Sequence, residues 1–85
     1  MNQTISVRYF ASIREAMGTG CETVNTEAAS VGALRDELIA RGGAAAQVLA
    51  PGRAVRMALN QALCESGAQI KSGDEVAFFP PVTGG

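Results

Sequence analysis

The stretch Phe78-Phe79-Pro80-Pro81-Val82-Thr83-Gly84-Gly85 carries the clearest chemical opportunity in the chain. It holds no thiol, imidazole or carboxylate side chain. What it offers is the α-carboxyl of Gly85, ionised at neutral pH because the reference pKa of such a group is about 3.3–3.7. A carboxylate of this kind attacks an activated phosphate. Gly84 and Gly85 lack a Cβ, which keeps the group slim enough for a narrow active site and opens φ/ψ values that other residues avoid. Pro80 and Pro81 cannot donate ladder hydrogen bonds, so a strand that reaches Phe79 stops there. They also bias the chain towards a stiff, extended path. At roughly 3.3–3.6 Å per residue, residues 80–85 reach on the order of 20 Å. The pattern is that of a tail built for insertion into the active site of another protein.

The remaining inventory narrows the chemistry further. Cys21 and Cys64 are the only cysteines and there is no histidine. Two thiols without an imidazole cannot build the usual zinc sites, so no metal centre is expected. Ser-His and Cys-His catalytic pairs are excluded as well, and the chain is not expected to act as an enzyme on its own. Both cysteines read as small buried hydrophobes. A net charge of −1 without a basic cluster argues against nucleic acid or an anionic membrane as partner. No apolar run approaches the ~20 residues of a membrane span, and Met1-Asn2-Gln3-Thr4 lacks the features of a signal peptide. A cytoplasmic location is therefore expected. With 85 residues, 47% of them hydrophobic, the chain makes one small domain, which buries only about 60% of its unfolded surface.

The elements that must position the tail are read from periodicity. Thr4 to Tyr9 alternates apolar and polar, which predicts a half-buried strand with Ile5, Val7 and Tyr9 facing the core. Ser12 and Glu15 have the spacing of a capping box, predicting a short helix from there to Met17, stopped by Gly18 and Gly20. Cys21 to Thr26 reads as a second strand. Ser30 is the N-cap of the main helix, whose Val31, Leu34, Leu38 and Ile39 share one face. Glu37 and Arg41 are spaced for an i, i+4 ion pair, and Gly42-Gly43 ends the helix. Residues 44–50 suggest a further helical turn or two before Pro51-Gly52. Val55, Met57 and Leu59 alternate in a third strand, Asn60-Gln61 makes a tight turn, and Ala62 to Cys64 returns. After a turn at Ser72-Gly73-Asp74, Glu75 to Phe79 forms the last strand. One main helix across one mixed sheet is an α+β arrangement. It divides the chain into a body at 1–79 and a tail at 80–85.

With these pieces assembled, the chain resembles the MoaD-type sulfur carriers, the small subunits of molybdopterin synthase. The resemblance rests on Arg8-Tyr9-Phe10-Ala11 with Arg14-Glu15 and Gly18-Thr19, on Val31 to Leu38, on Leu59-Asn60-Gln61-Ala62-Leu63, and on Gly73 through Gly85. The run Gly-Asp-Glu-Val-Ala-Phe-Phe-Pro-Pro-Val-Thr-Gly-Gly is far more specific than Gly-Gly alone. Residues 44–53 depart from the pattern.

The resemblance implies a ubiquitin-like β-grasp fold with the tail leaving the last strand. It implies that a MoeB-type partner uses Mg-ATP to convert the Gly85 carboxylate into an acyl-adenylate, and that a sulfur donor then turns it into a thiocarboxylate. It implies a large MoaE-type subunit that accepts the tail, in a heterotetramer of two small and two large subunits, and spends the sulfur on the dithiolene of molybdopterin. No cofactor bound to this chain is implied. Thr83 and Gly84 fall where the family's partners grip the tail, and Phe10, Arg14, Leu63 and Phe79 fall on the partner-facing surface. Phe10 carries a hint of its own: with Tyr9 inward on an alternating strand, Phe10 turns away from the core. A ThiS-type carrier for thiazole synthesis, a ubiquitin-like protein modifier and a plain binding module are the competing readings. The Phe-Phe-Pro-Pro-Val-Thr stretch speaks against the first, and the tail against the last.

Overall fold

Alternation at the start of the chain builds the centre of the molecule. In a computed structural model, which describes residues 2–81, β1 (Gln3–Tyr9) buries Ile5, Val7 and Tyr9 and turns Thr4, Ser6 and Arg8 outward. β2 (Cys21–Thr26) pairs antiparallel with β1 as an edge strand. β5 (Glu75–Phe79) lies parallel to β1 on its other side, with Val7 opposite Val76 and Tyr9 opposite Phe78. β3 (Arg56–Leu59) runs antiparallel to β5, and β4 (Ala62–Cys64) closes the sheet in the order β2-β1-β5-β3-β4.

Three helices cover one face. α1 (Ala11–Met17) follows β1 directly, α2 (Val31–Ala40) is the main helix, and α3 (Gly43–Val48) is short. Ser30 caps α2 as expected, its hydroxyl accepting from the Ala33 N–H at 3.1 Å. Val31, Leu34 and Leu38 of α2 pack with Ile5, Val76 and Phe78 in one core. This is the β-grasp arrangement the resemblance implies. At about 25 cal/mol per Å² of apolar area removed from water, that shared core is the main source of stability in so small a domain.

Three expectations are corrected. Ser12 does not cap α1: Phe10 occupies the N-cap without a side-chain bond, and Ala11 opens the helix at φ 51°. The reason is tertiary, since the Phe10 N–H donates to the Phe78 carbonyl at 3.2 Å and the chain must reverse at once. Glu37 and Arg41 do not pair. Glu37 accepts from the Thr26 hydroxyl at 2.6 Å, while both Nη atoms of Arg41 reach Glu22 across the fold. Glu22 also accepts from the buried Tyr9 hydroxyl at 2.6 Å. Burial first, and that bond second, raise the Tyr9 phenol well above its ordinary range. Cys21 is exposed on the edge strand rather than buried, and Cys64 is half-buried.

Candidate functional site at the root of the tail

Because β1 and β5 run side by side in the same direction, both deliver their last residues to one end of the molecule. Phe10 and Phe79 thereby emerge next to each other. Register then sets what lies beside them on the face opposite the helices. Arg8, Ala77, Ala58 and Leu63 are successive cross-strand partners, so their side chains form one row over β1, β5, β3 and β4. The two central members are alanines, and their short side chains leave a floor between taller neighbours. Both alanines are buried, although no helix covers this face. Around them Phe10, Leu63 and Phe79 enclose a shallow concavity of about 430 Å³.

Phe10 is 44% exposed and Leu63 69%, the two large hydrophobic residues that the described part of the chain leaves in water. Concentrated apolar exposure of this kind marks a surface that another molecule covers. The rim is polar. The Arg8 guanidinium lies 6.0 Å from the centre of the Phe10 ring and 3.4 Å from the Glu75 carboxylate, and Gln61 completes it. The Arg8–Glu75 pair is solvated and contributes little stability; it fixes where the rim stands.

The position of Leu63 depends on the turn before it. Asn60 and Gln61 both adopt positive φ, 51° and 70°, the geometry of the tight turn that suits twisted hairpins. The Asn60 amide pins this turn to the start of β5, donating to Asp74 Oδ1 at 3.1 Å and accepting from the Glu75 N–H at 3.0 Å. That amide, followed by the Lys71 backbone N–H, holds the Asp74 carboxyl below its ordinary pKa of 3.8. The turn that lifts Leu63 is thus fastened to the strand that carries the tail.

Three of the predicted surface residues, Phe10, Leu63 and Phe79, therefore meet around one concavity. Arg14 does not join them. It sits on α1 with its side chain beside Gly20, away from the lining of the hollow. Thr83, Gly84 and Gly85 lie outside the described residues. Sequence reasoning missed the floor, Ala58 and Ala77, and the rim at Arg8, Gln61 and Glu75. Alanine at outward positions of two central strands was the available signal, but it needs the register to be read. Among the described residues no group of three potential metal ligands comes together, and no helix is long and apolar enough to cross a membrane.

Comparison with known proteins gives this arrangement a context. The model of the ThiS family matches residues 7–85. Over 81 residues the chain is 42% identical to the molybdopterin synthase sulfur carrier subunit of Escherichia coli and 38% identical to that of Haemophilus influenzae. Each match covers 95% of this chain and 99% of the relative. Among solved structures, SAMP1 from Haloferax volcanii superposes with a TM-score of 0.78 at 27% identity, over 96% of this chain and 99% of that one. A chain of the complex of subunits 1 and 2 of the molybdopterin-converting factor from Helicobacter pylori gives 0.64 at 27% identity, over 98% and 100%. The chain belongs to the ThiS family and, within it, to the molybdopterin synthase sulfur carrier subunits.

Proposed function

We propose that this chain carries sulfur for molybdopterin synthase, with the Gly85 carboxyl as the carrying group. The observation that supports this most directly is the exposed apolar hollow of Phe10, Leu63 and Phe79 beside the strand that bears the tail. A protein that must present its terminus to an active site elsewhere needs such a gripping surface at the base of the tail. The chain has no thiol–imidazole pair with which to do the chemistry alone.

In this reading a carboxylate oxygen of Gly85 attacks the α-phosphorus of Mg-ATP within a MoeB-type partner, and pyrophosphate leaves. The acyl-adenylate is then a good electrophile, because AMP departs where oxide could not. Attack by the outer sulfur of a persulfide donor expels AMP and gives an acyl disulfide. A thiol then takes the donor's sulfur as a disulfide and releases the thiocarboxylate, whose sulfur is a softer and stronger nucleophile than the oxygen it replaced. The large MoaE-type subunit accepts the tail and transfers that sulfur to cyclic pyranopterin monophosphate, two small and two large subunits working together. The Helicobacter pylori complex of subunits 1 and 2 supports such a partnership. Thr83 and Gly84 present backbone groups to the partner in the manner of an added strand.

Intact mass after incubation with ATP, the adenylating partner and a sulfur donor tests this. Replacement of oxygen by sulfur adds about 16 Da to the wild-type chain and nothing to a chain lacking Gly85. Absence of that gain in the wild type sinks the carrier reading, and attachment to lysines of other proteins in its place establishes the modifier.

A further inference from the structure

Phe79 and Pro80, being consecutive on an extended chain, face opposite ways. Phe79 lines the apolar hollow, whereas Pro80 lines a second cleft, between Ser12 and Ile13 of α1 and the loop that enters β3 at Val55. The far wall of this cleft is Val48, the last residue of α3, with Arg53 and Ala54 of the stretch that follows it. Nothing in regular secondary structure holds that stretch in place: residues 49–55 form neither helix nor strand. Leu49, fully buried in the core, anchors its start, and a turn bond from the Arg53 N–H to the Ala50 carbonyl at 2.8 Å closes it. The rest of the hold comes from one side chain of the main helix. The Arg35 guanidinium donates from Nε to the Leu49 carbonyl at 2.6 Å, and from Nη2 to the carbonyls of Ala50 at 2.8 Å and Arg53 at 3.3 Å. Arg53 in turn donates from Nε to the Gln47 carbonyl at 3.1 Å, tying the loop back to α3.

We infer that Arg35 is a positioning residue for the tail, acting through the 49–53 loop to keep the seat of Pro80 in shape. The planar fork of arginine suits this task, since it satisfies three carbonyls from one rigid group, which a lysine ammonium on a flexible stem cannot do in the same geometry. One of those carbonyls is that of Leu49, the C-cap of α3, so the fork also closes the end of that short helix. Without the fork the loop keeps Leu49 and the Arg53 bonds as its anchors, its outer part at Arg53 and Ala54 loosens, and the seat of Pro80 loses the definition of that wall. The inference concerns where the tail starts, and its kinetic consequence rests on the carrier reading above.

The test compares wild type with Arg35→Met and Arg35→Lys. Nuclear Overhauser contacts between Pro80 and Val55 or Ser12, measured well below the melting temperature, read the seat directly. Adenylation kinetics read its use. Expected are loss of the Pro80 contacts in Arg35→Met, partial loss in Arg35→Lys, and a rise in KM for the tail of about five- to thirtyfold in Arg35→Met, the factor that freeing one backbone residue carries. The value of kcat stays within about twofold, since the reacting atoms are untouched. Glu37→Gln, which weakens a bond elsewhere on α2, serves as the control for general destabilisation and leaves KM unchanged. Intact Pro80 contacts in a folded Arg35→Met variant overturn the inference, as does an unchanged KM. Should wild type not be adenylated at all, the carrier reading fails, and the Overhauser contacts alone decide the role of Arg35.

Discussion

Truncating Leu63 to alanine separates association from folding more cleanly than any other change at the hollow. Fully burying a leucine side chain yields ~1.5–3 kcal/mol. Leu63 is 69% exposed in the free domain, so most of that gain is still to be realised when a partner covers it. Dividing in proportion leaves ~1–2 kcal/mol for association and ~0.5–0.9 kcal/mol already present in the fold. The first figure is a loss of ~5- to 30-fold in affinity for the large subunit. The second lowers the melting temperature by only a few degrees, about 2–7 °C for a domain of this size. For Phe10, at 44% exposure, the same division is near even, so Phe10→Ala loses affinity and melting temperature together. Titration calorimetry with the large subunit, beside thermal melts, measures both quantities on the same samples. An unchanged Kd in Leu63→Ala, with Phe10→Ala weakening binding, refutes the hollow as the contact. A melting loss beyond ten degrees in Leu63→Ala refutes the exposure argument.

Replacing both Pro80 and Pro81 by glycine leaves the carboxyl intact but raises KM for the tail in adenylation, because each residue newly ordered on insertion costs roughly 1–2 kcal/mol; steady-state kinetics check this. Acid unfolding follows from two carboxyls. Asp74 is held below its ordinary value by Asn60 and Lys71, and Glu22 below its own by Arg41, against some opposing desolvation, and by Tyr9. Their folded-state pKa values lie below the unfolded ones, so the stability they add is present above pH ~4–4.5 and disappears as pH falls through the folded values. Melts from pH 7 to pH 2 are expected to show a shallower decline in Asp74→Asn and Glu22→Gln than in wild type. Gly32→Ala destabilises by about 1–3 kcal/mol, read in urea, because an added Cβ would sit 2.9 Å from Ser66 Cβ and 3.0 Å from its carbonyl oxygen, which the Gly32 N–H already approaches at 2.8 Å.

How much of this was legible in the sequence depended on the range of the interactions concerned. The first and third strands followed from alternation, the last from its bounding turn and prolines, and the hairpin turn from Asn60-Gln61, because period and turn chemistry are local properties. The Ser30 cap was legible for the same reason. The start of α1 was not: Ser12 and Glu15 have capping-box spacing, but a bond from Phe10 to β5 begins the helix earlier. Arg41 likewise chose Glu22, which lies on another element, over the Glu37 one turn away. At the tail root, aromatic residues announced themselves by type, whereas Ala58 and Ala77 acquire meaning only once register sets them in one row. The loop at 49–55 was illegible because long-range contacts, the burial of Leu49 and the fork of Arg35, shape it rather than any periodicity of its own.

β5 is bonded along both flanks, to β1 on one side and β3 on the other, and the tail continues directly from its end. Tension applied by a partner that grips the tail therefore runs along this strand and across the hydrogen bonds of two ladders at once. Bonds loaded in that direction share the force and give way together, unlike those of an edge strand peeled off one at a time. Val76 and Phe78, fully buried, would have to be dragged through the core before the strand could slide. The sheet is thus a mechanical anchor for the tail. A tail that continues from the central strand, rather than from an edge, is thereby built to bear a pull.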